Sequence, residues 1–309
     1  MNVLNKRVSV IIPTYKREVK YILRAINSIK LQTHKNTEVV IVDDNPPDSE
    51  YRKHVMQFMQ QFKDDDNVIY LMNPKNIGGS LARNKGINAA TGEYITFLDD
   101  DDEYLPKKVA KQLEFMVEKD CDMSFTNLKL VNENKVVVDY RQYNSLKNFD
   151  NRNLLKYHLM RHLTGTPTFM YKAEKLKEIG GFEDARMGQE FYLMLKSIEN
   201  NLKICYLNDC DVLAYRHNNG GISQGRNKID GENTLYEFKK GYFHMLTRRE
   251  KMFIRFRHYA VMVIAYKRNK NYFHALMSGI KMVLVSPVDF LSEVGKFFVN
   301  IFKNRRLEN

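Results

Sequence analysis

Apolar residues along the chain fall into short runs that alternate with amphipathic stretches. Val8 to Ile12 is a five-residue apolar run ended by Pro13, and after it Val19, Ile22, Leu23, Ile26 and Ile29 recur at helical spacing. Val39 to Val42 repeats the strand pattern and stops at Asp43-Asp44-Asn45-Pro46. Val68 to Leu71 stops at Asn73-Pro74, and Tyr94 to Leu98 runs into four consecutive aspartates, Asp99 to Asp102, before a helix begins near Pro106. Short apolar strands alternating with amphipathic helices predict an α/β fold: a mostly parallel sheet flanked by helices. Further on, Gln189-Glu190 opens a helical pattern carried by Phe191, Leu193, Met194 and Leu195, and Lys203–Leu207 and Asp211–Tyr215 read as two short strands.

The polar strand ends carry the candidate chemistry. Open α/β sheets build their sites at the carboxyl ends of their strands, and four adjacent carboxylates repel unless a cation or a positive group sits among them. A divalent metal is the simplest such partner, since Mg²⁺ and Mn²⁺ take hard oxygen ligands. The plain alternative is an acidic loop that caps the next helix. Between the two acidic ends, Gly78-Gly79 permits close backbone approach, and Arg83 and Lys85 bring positive charge on the helix that follows. No GxGxxG fingerprint occurs, so a dinucleotide fold is not indicated.

Three segments, VSVIIPTYKRE, EVVIVDDN and NIGGSLARNKGINAATGEYITFLDDDDEYLP, together resemble the nucleotide-binding half of family 2 glycosyltransferases with the GT-A fold, of the type that makes bacterial surface polysaccharides. The likeness is strong over about the first 100 residues and weaker to about residue 223. It implies a catalytic domain over 1–225, with a nucleotide-sugar half at 1–105 and an acceptor half at 106–225, and a basic helical region over 226–309. It also implies that Asp43, Asp44 and Arg83 contact the base of a nucleotide donor, with Pro13, Thr14, Tyr15 and Gly78 around the same pocket. Asp99 and Asp101 would be the acids of the D-x-D motif, Asp101 on the metal and Asp99 shared between ribose and metal, with Asp100 between them on the donor side.

The chemistry needs these residue types. Departure of a nucleoside diphosphate develops negative charge that Mn²⁺ or Mg²⁺ stabilises, and the incoming hydroxyl needs a carboxylate to take its proton. Within GGFEDARMGQEFYLMLK, the match to the family's GGF segment and following acid places Glu190 as that base, with Gln189 where an acid often precedes it. Read without the likeness, Glu190 is a first-turn acid satisfying helix amides. His217 matches a histidine that reaches the metal or donor phosphates in relatives, and Thr166 and Thr168 fall in a stretch that resembles the acceptor side.

Charge separates the last quarter of the chain from the rest. Residues 226–309 hold 17 Lys or Arg against 7 Asp or Glu, +10 of the formal +12. Phe253–Tyr266, Tyr272–Val285 and Val288–Phe302 have helical apolar spacing, the last with Val288, Leu291, Val294, Phe297/Phe298 and Ile301 on one side and Asp289 opposite. Lys281, Pro287, Asp289 and Lys296 interrupt these stretches, so none predicts a spanning helix. A basic amphipathic helix of this kind suits an anionic membrane surface, and a small helical subdomain packed on the catalytic core is the other reading. Three cysteines, Cys121, Cys205 and Cys210, without metal-site spacing, predict reduced, partly buried thiols. The direct entry into the first strand predicts a cytoplasmic protein, peripherally associated with the inner face of the membrane. No helix-turn-helix, zinc finger or aromatic single-strand platform supports a nucleic-acid partner. The expected activity is therefore metal-dependent, inverting sugar transfer from a UDP-linked donor to a lipid-linked or glycan acceptor. The alternative is a non-catalytic subunit of the same fold that binds nucleotide sugar or a partner enzyme.

Overall fold

The computed structural model describes residues 3–163, 165–185, 187–216 and 226–295. In chain order the elements are β1 (Val8–Thr14), α1 (Val19–Lys30), β2 (Thr37–Asp43), α2 (Glu50–Met59), β3 (Val68–Met72), α3 (Gly79–Ala89), β4 (Tyr94–Phe97), β5 (Glu103–Tyr104), α4 (Lys108–Lys119), β6 (Met123–Thr126), β7 (Leu128–Val131), β8 (Val137–Arg141), α5 (Asn151–Arg161), β9 (Met170–Lys172), α6 (Ala173–Glu178), α7 (Gln189–Glu199), β10 (Ile204–Leu207) and β11 (Val212–Tyr215). Then come α8 (Arg226–Lys240), α9 (Arg248–Arg268) and α10 (Tyr272–Val285), with a short helix at Pro287–Gly295 after them. Chain contacts divide into two units. One holds residues 1–155 and 163–218; the other holds 156–162 and 219–309.

The first unit is built on a seven-stranded sheet in the order β10-β6-β9-β4-β1-β2-β3. β9 alone runs antiparallel, between β4 and β6, and the other neighbours pair in parallel. The apolar runs form buried strands because both faces are covered: Val8, Val10, Ile11, Ile12, Val40 and Ile41 are buried. α1 buries Ile22, Ala25, Ile26 and Ile29, whereas Leu23, predicted on that face, is partly exposed. A second sheet, β5-β11-β7-β8, was not evident from sequence, where only β11 reads as a strand. Its edge strand β8 is exposed along its whole length.

β1 extends through Pro13 instead of ending before it. β1 pairs with β4 only from Val8 to Ile11, then the two strands part. Leu98 N–H donates to the Ile11 carbonyl, and two residues on, Pro13 points the same way, where no partner strand remains. The missing N–H therefore breaks no ladder bond. Into the space where β1 and β4 separate, the chain places the acidic run.

The cysteine expectation is corrected: Cys121 and Cys205 form a disulfide with Cα atoms 6.1 Å apart, and only Cys210 is a buried free thiol. Neighbouring parallel strands bring the pair together, since Cys205 on β10 lies beside the residues that lead into β6. That juxtaposition of residues 84 apart leaves no trace in sequence spacing.

In the second unit α9 begins with a full capping box, the Thr247 hydroxyl accepting from Glu250 N–H and the Glu250 carboxylate from Thr247 N–H. Among the described residues no single helix is long and apolar enough to cross a membrane; α10 and the helix Pro287–Gly295 meet that measure only together, bent by 108°. Asp289, on the side opposite the apolar row of this last helix, is buried and paired with Arg249 at 2.5 Å. Its hydrogen bond from the Ser286 hydroxyl, at 2.6 Å, completes the site. Val288 and Leu291 face outward instead. The remainder of the predicted stripe, including Phe297, Phe298 and Ile301, lies outside the described residues.

Candidate active site

The four aspartates after β4 alternate in direction. Asp100 and Asp102 are buried, while the side chains of Asp99 and Asp101 keep 38% and 15% of their surface exposed. Asp100 accepts from the Thr14 hydroxyl at 2.8 Å and from Arg17 Nε at 2.9 Å. Asp102 accepts from the Tyr215 N–H at 2.9 Å, which ties the run to β11. Burial, together with neighbouring carboxylates, pushes Asp102 well above the usual carboxylate range. It likewise pushes Asp100 up to about 7, against the opposing charge of Arg17. The inner pair thus supports the loop, and the outer pair faces the opening.

Arginines supply the positive charge that the sequence pattern demanded. Arg17 Nη2 lies 2.8 Å from Asp101 while its Nε holds Asp100. Arg24 donates to the Asp101 carbonyl and stacks on the Tyr215 ring, 3.6 Å from its centre. Arg83 pairs with Asp99 at 2.5 Å. Sequence reading named Arg83 and missed Arg17 and Arg24. The signal available was a balance of charge between the segment after β1 and the segment after β4, which only the parallel pairing of those strands makes local.

Asp43 and Asp44 have dense hydrogen-bond shells of their own. Asp43 accepts from Asn45 N–H (2.9 Å), Asn45 Nδ2 (2.8 Å) and Tyr70 OH (2.7 Å), and pairs with Arg52 at 3.0 Å. Asp44 accepts from the N–H groups of Ile77 and Gly78, both at 2.9 Å, and from the side-chain amides of Asn73 and Asn76, both at 2.8 Å. These bonds shape the loop from β3 into α3. Gly78 has φ +88°, a conformation that side chains other than hydrogen rarely adopt, and it hands the chain to α3. Pro13 and Thr14 end β1, Thr14 buried, and Tyr15 is exposed just beyond it. Arg83, on α3, bonds to Asp99, to Gln189 and to the Gly79 carbonyl of its own helix, and lies over the Phe182 ring.

The segment before α7 is anchored to α3. Asn84 exchanges two hydrogen bonds with the Phe182 backbone, each 2.8 Å, and the Ser80 hydroxyl donates to the Ala185 carbonyl at 3.1 Å. These contacts deliver the first residue of α7, Gln189, to Arg83: Arg83 Nη1 donates to Gln189 Oε1 at 2.8 Å. Gly79 leaves the room, because a Cβ there would meet Arg83 at 3.2 Å and Gln189 at 3.4 Å. Glu190, the next residue, is half-buried in the first turn of α7. Glu183 is turned away in an ion pair with Lys196 at 2.6 Å. Thr166 and Thr168 are buried, and the Thr168 hydroxyl is held by the Gly165 carbonyl at 2.7 Å. His217 lies outside the described residues.

Asp99 and Asp101 are the two carboxylates that could hold a cation. Among the described residues no three His, Cys, Asp or Glu converge as a complete metal site. Two arginine-paired carboxylates still suit Mg²⁺ or Mn²⁺, which complete their shells with water and substrate phosphate oxygens instead of an all-protein cage. The residues therefore fit a cation that arrives with a diphosphate.

Comparison with known proteins places the chain in a family. The family model described as glycosyl transferase family 2 matches residues 9–180. TuaG of Bacillus subtilis, whose name assigns it to teichuronic acid biosynthesis, is 30% identical over 71% of this chain and 82% of its own length. A GalNAc(5)-diNAcBac-PP-undecaprenol beta-1,3-glucosyltransferase of Campylobacter jejuni is 43% identical over a shorter stretch, 32% of this chain and 31% of its own. The crystal structure of S. aureus TarS 1-349 in complex with UDP-GlcNAc superposes with a TM-score of 0.59 over 90% of this chain and 91% of that one, at 18% identity, a likeness of fold. A GT-A-like sheet, the matched motifs and the family model lead to one conclusion: the chain belongs to glycosyl transferase family 2 and is a glycosyltransferase.

Proposed function

We propose that the enzyme moves a sugar from a UDP-linked donor to a hydroxyl of a lipid-linked acceptor in the synthesis of a bacterial surface polysaccharide, at the inner face of the cell membrane, with inversion at the anomeric carbon. The observation that carries this reading is the bridge from Asp99 through Arg83 to Gln189, because it joins the carboxylates after β4 to the helix start that holds Glu190. The UDP-GlcNAc bound by TarS and the undecaprenol-linked substrate in the Campylobacter enzyme's name support the choice of donor and acceptor class.

Asp99 and Asp101 would hold Mn²⁺ or Mg²⁺, which when bound neutralises charge developing on the leaving diphosphate. Arg83 orients Asp99 through their ion pair. The Glu190 carboxylate accepts the proton of the acceptor hydroxyl as its oxygen attacks, and UDP departs from the opposite face. Asp43, Asp44, Gly78 and Tyr15 border the base and ribose side, where the bonded loop presents a rigid wall. Thr166 and Thr168, buried, shape the acceptor side through the backbone they fix.

The test is nucleotide release from a panel of nucleotide sugars with Mn²⁺, with Mg²⁺ and with chelator, for wild type and Asp101→Ala. Release of UDP from one donor, lost with chelator and with the substitution, supports the reading. Binding of no nucleotide sugar by calorimetry overturns it in favour of a non-catalytic subunit.

A further inference from the structure

The second unit turns its C-terminal helices inside out. α10 is strongly apolar, yet its one buried residue is Ser278. Phe273, Leu276 and Leu284 are 64–75% exposed, and Met277 and Ile280 lie on the same side at spacings of three and four residues. In the next helix the acid Asp289 is buried while Val288 and Leu291 are more than two-thirds exposed. A water-facing helix normally does the reverse, and an exposed apolar row of this length marks an interaction surface.

What lies beside the row identifies its partner. α9 and α10 border a half-open groove of about 410 Å³ lined by Arg248, Lys251, Met252, Arg255, Leu284 and Val285. Arg248 and Lys251 make no ion pair among the described residues, whereas their neighbours Arg249 and Glu250 are paired, with Asp289 and Lys156. Arg255 lies over the Phe243 ring and has no ion pair among the described residues. Three cations therefore open onto the same groove as Leu284, where the apolar row begins. A soluble protein partner would need carboxylates and a matching apolar ridge; an anionic bilayer presents phosphates above hydrocarbon in the order that the groove and the row present cations beside apolar side chains.

We propose that the α9–α10 edge is a docking surface for an anionic phospholipid membrane, with lipid phosphates at Arg248, Lys251 and Arg255 and the exposed face of α10 seated at the acyl boundary. This deepens the reading of a lipid-linked acceptor and rests on it for its purpose. The docking itself needs neither donor nor acceptor, so its test stands apart from the test of catalysis.

Flotation of the full chain with vesicles of phosphatidylcholine alone or containing phosphatidylglycerol decides the matter. The wild type should float with the anionic vesicles, be released by high salt, and stay unbound with the neutral ones. Replacing the cations (Arg248→Gln, Lys251→Gln, Arg255→Gln) should weaken anionic binding by about a hundredfold. Replacing the row (Leu276→Gln, Leu284→Gln) should weaken it by tenfold or more. All five sites are on the surface, and unchanged circular dichroism with unchanged UDP release confirms that the variants fold. Equal binding of wild type and both variants, no binding of the wild type, or a dimer in light scattering that Leu276→Gln, Leu284→Gln dissolves without any vesicle binding would each overturn the proposal.

Discussion

Arg83 and Gln189 meet at 2.8 Å across a separation of 106 residues, and the same guanidinium holds Asp99. One side chain thus fixes the distance between the acidic run and the start of α7. Gln189→Ala should leave the fold intact and lower kcat by up to about 10²-fold, because a displacement of about 1 Å at the reacting groups has that effect. Gln189→Glu, which gives Arg83 a carboxylate partner, should recover most of the loss. Steady-state kinetics with a saturating donor check this: a kcat unchanged in Gln189→Ala would show that the bridge does not position the base.

Arg17 competes for the carboxylates that a cation would use. It holds Asp100 and Asp101 together, and removing its charge lowers the work of bringing a divalent ion to Asp101. Arg17→Gln should bind Mn²⁺ roughly tenfold more tightly than wild type in the absence of nucleotide, an effect of about 1.4 kcal/mol. Calorimetric titration with Mn²⁺ alone measures it, and weaker binding in the variant would assign Arg17 to supporting the loop instead.

Glu38 sets a pH dependence far from the acidic run. Its carboxylate is fully buried, a cost that raises its pKa, yet hydrogen bonds from Ser9 and Thr91 and the charge of Arg7 outweigh that and hold it below the ordinary 4.5. The folded pKa is thus lower than the unfolded one. The stabilisation is complete above about pH 4.5 and is lost as pH falls through the folded value. Glu38→Gln should destabilise the protein by about 2–4 kcal/mol at pH 7. In urea unfolding the gap between wild type and variant should narrow below pH 4.5; a constant gap would contradict the assignment.

Lys239 gives the opposite sign. Burial lowers its pKa to about 8 from 10.5. The unfolded chain then binds the proton more readily between those values, so this group contributes a destabilisation that is full below about pH 8 and disappears above pH 10.5. Lys239→Met should raise the melting temperature at pH 7 and change it little at pH 10.5. A lowered melting temperature at pH 7 would show that the amine is needed as a hydrogen-bond donor, for instance to His162 at 2.5 Å.

The parallel half of the fold was legible because buried strands read as continuous apolar runs and helices such as α1 and α7 keep their period. What sequence could not show are contacts that arise only when distant strands pair. The disulfide between Cys121 and Cys205, the arginines around the aspartates and the Arg83–Gln189 contact all depend on neighbours in space. Gln189 looked like the loss of an acid; in the fold it is the acceptor that Arg83 needs. Asp43 and Asp44 were legible as polar strand ends, but not the hydrogen bonds that shape the loop after β3. In the tail the helical period was legible and the side that meets protein was not, since the pattern alone does not say which side of an amphipathic helix is covered.

The most direct test of the account is Glu190→Gln, examined for donor binding by calorimetry and for transfer to a lipid-linked acceptor. The bridge from Asp99 through Arg83 to α7 predicts unchanged donor affinity and transfer reduced by about 10²–10⁴-fold, the loss of a general base. Transfer at the wild-type rate would remove Glu190 from the mechanism and contradict the central claim that α7 brings the base to the acidic run.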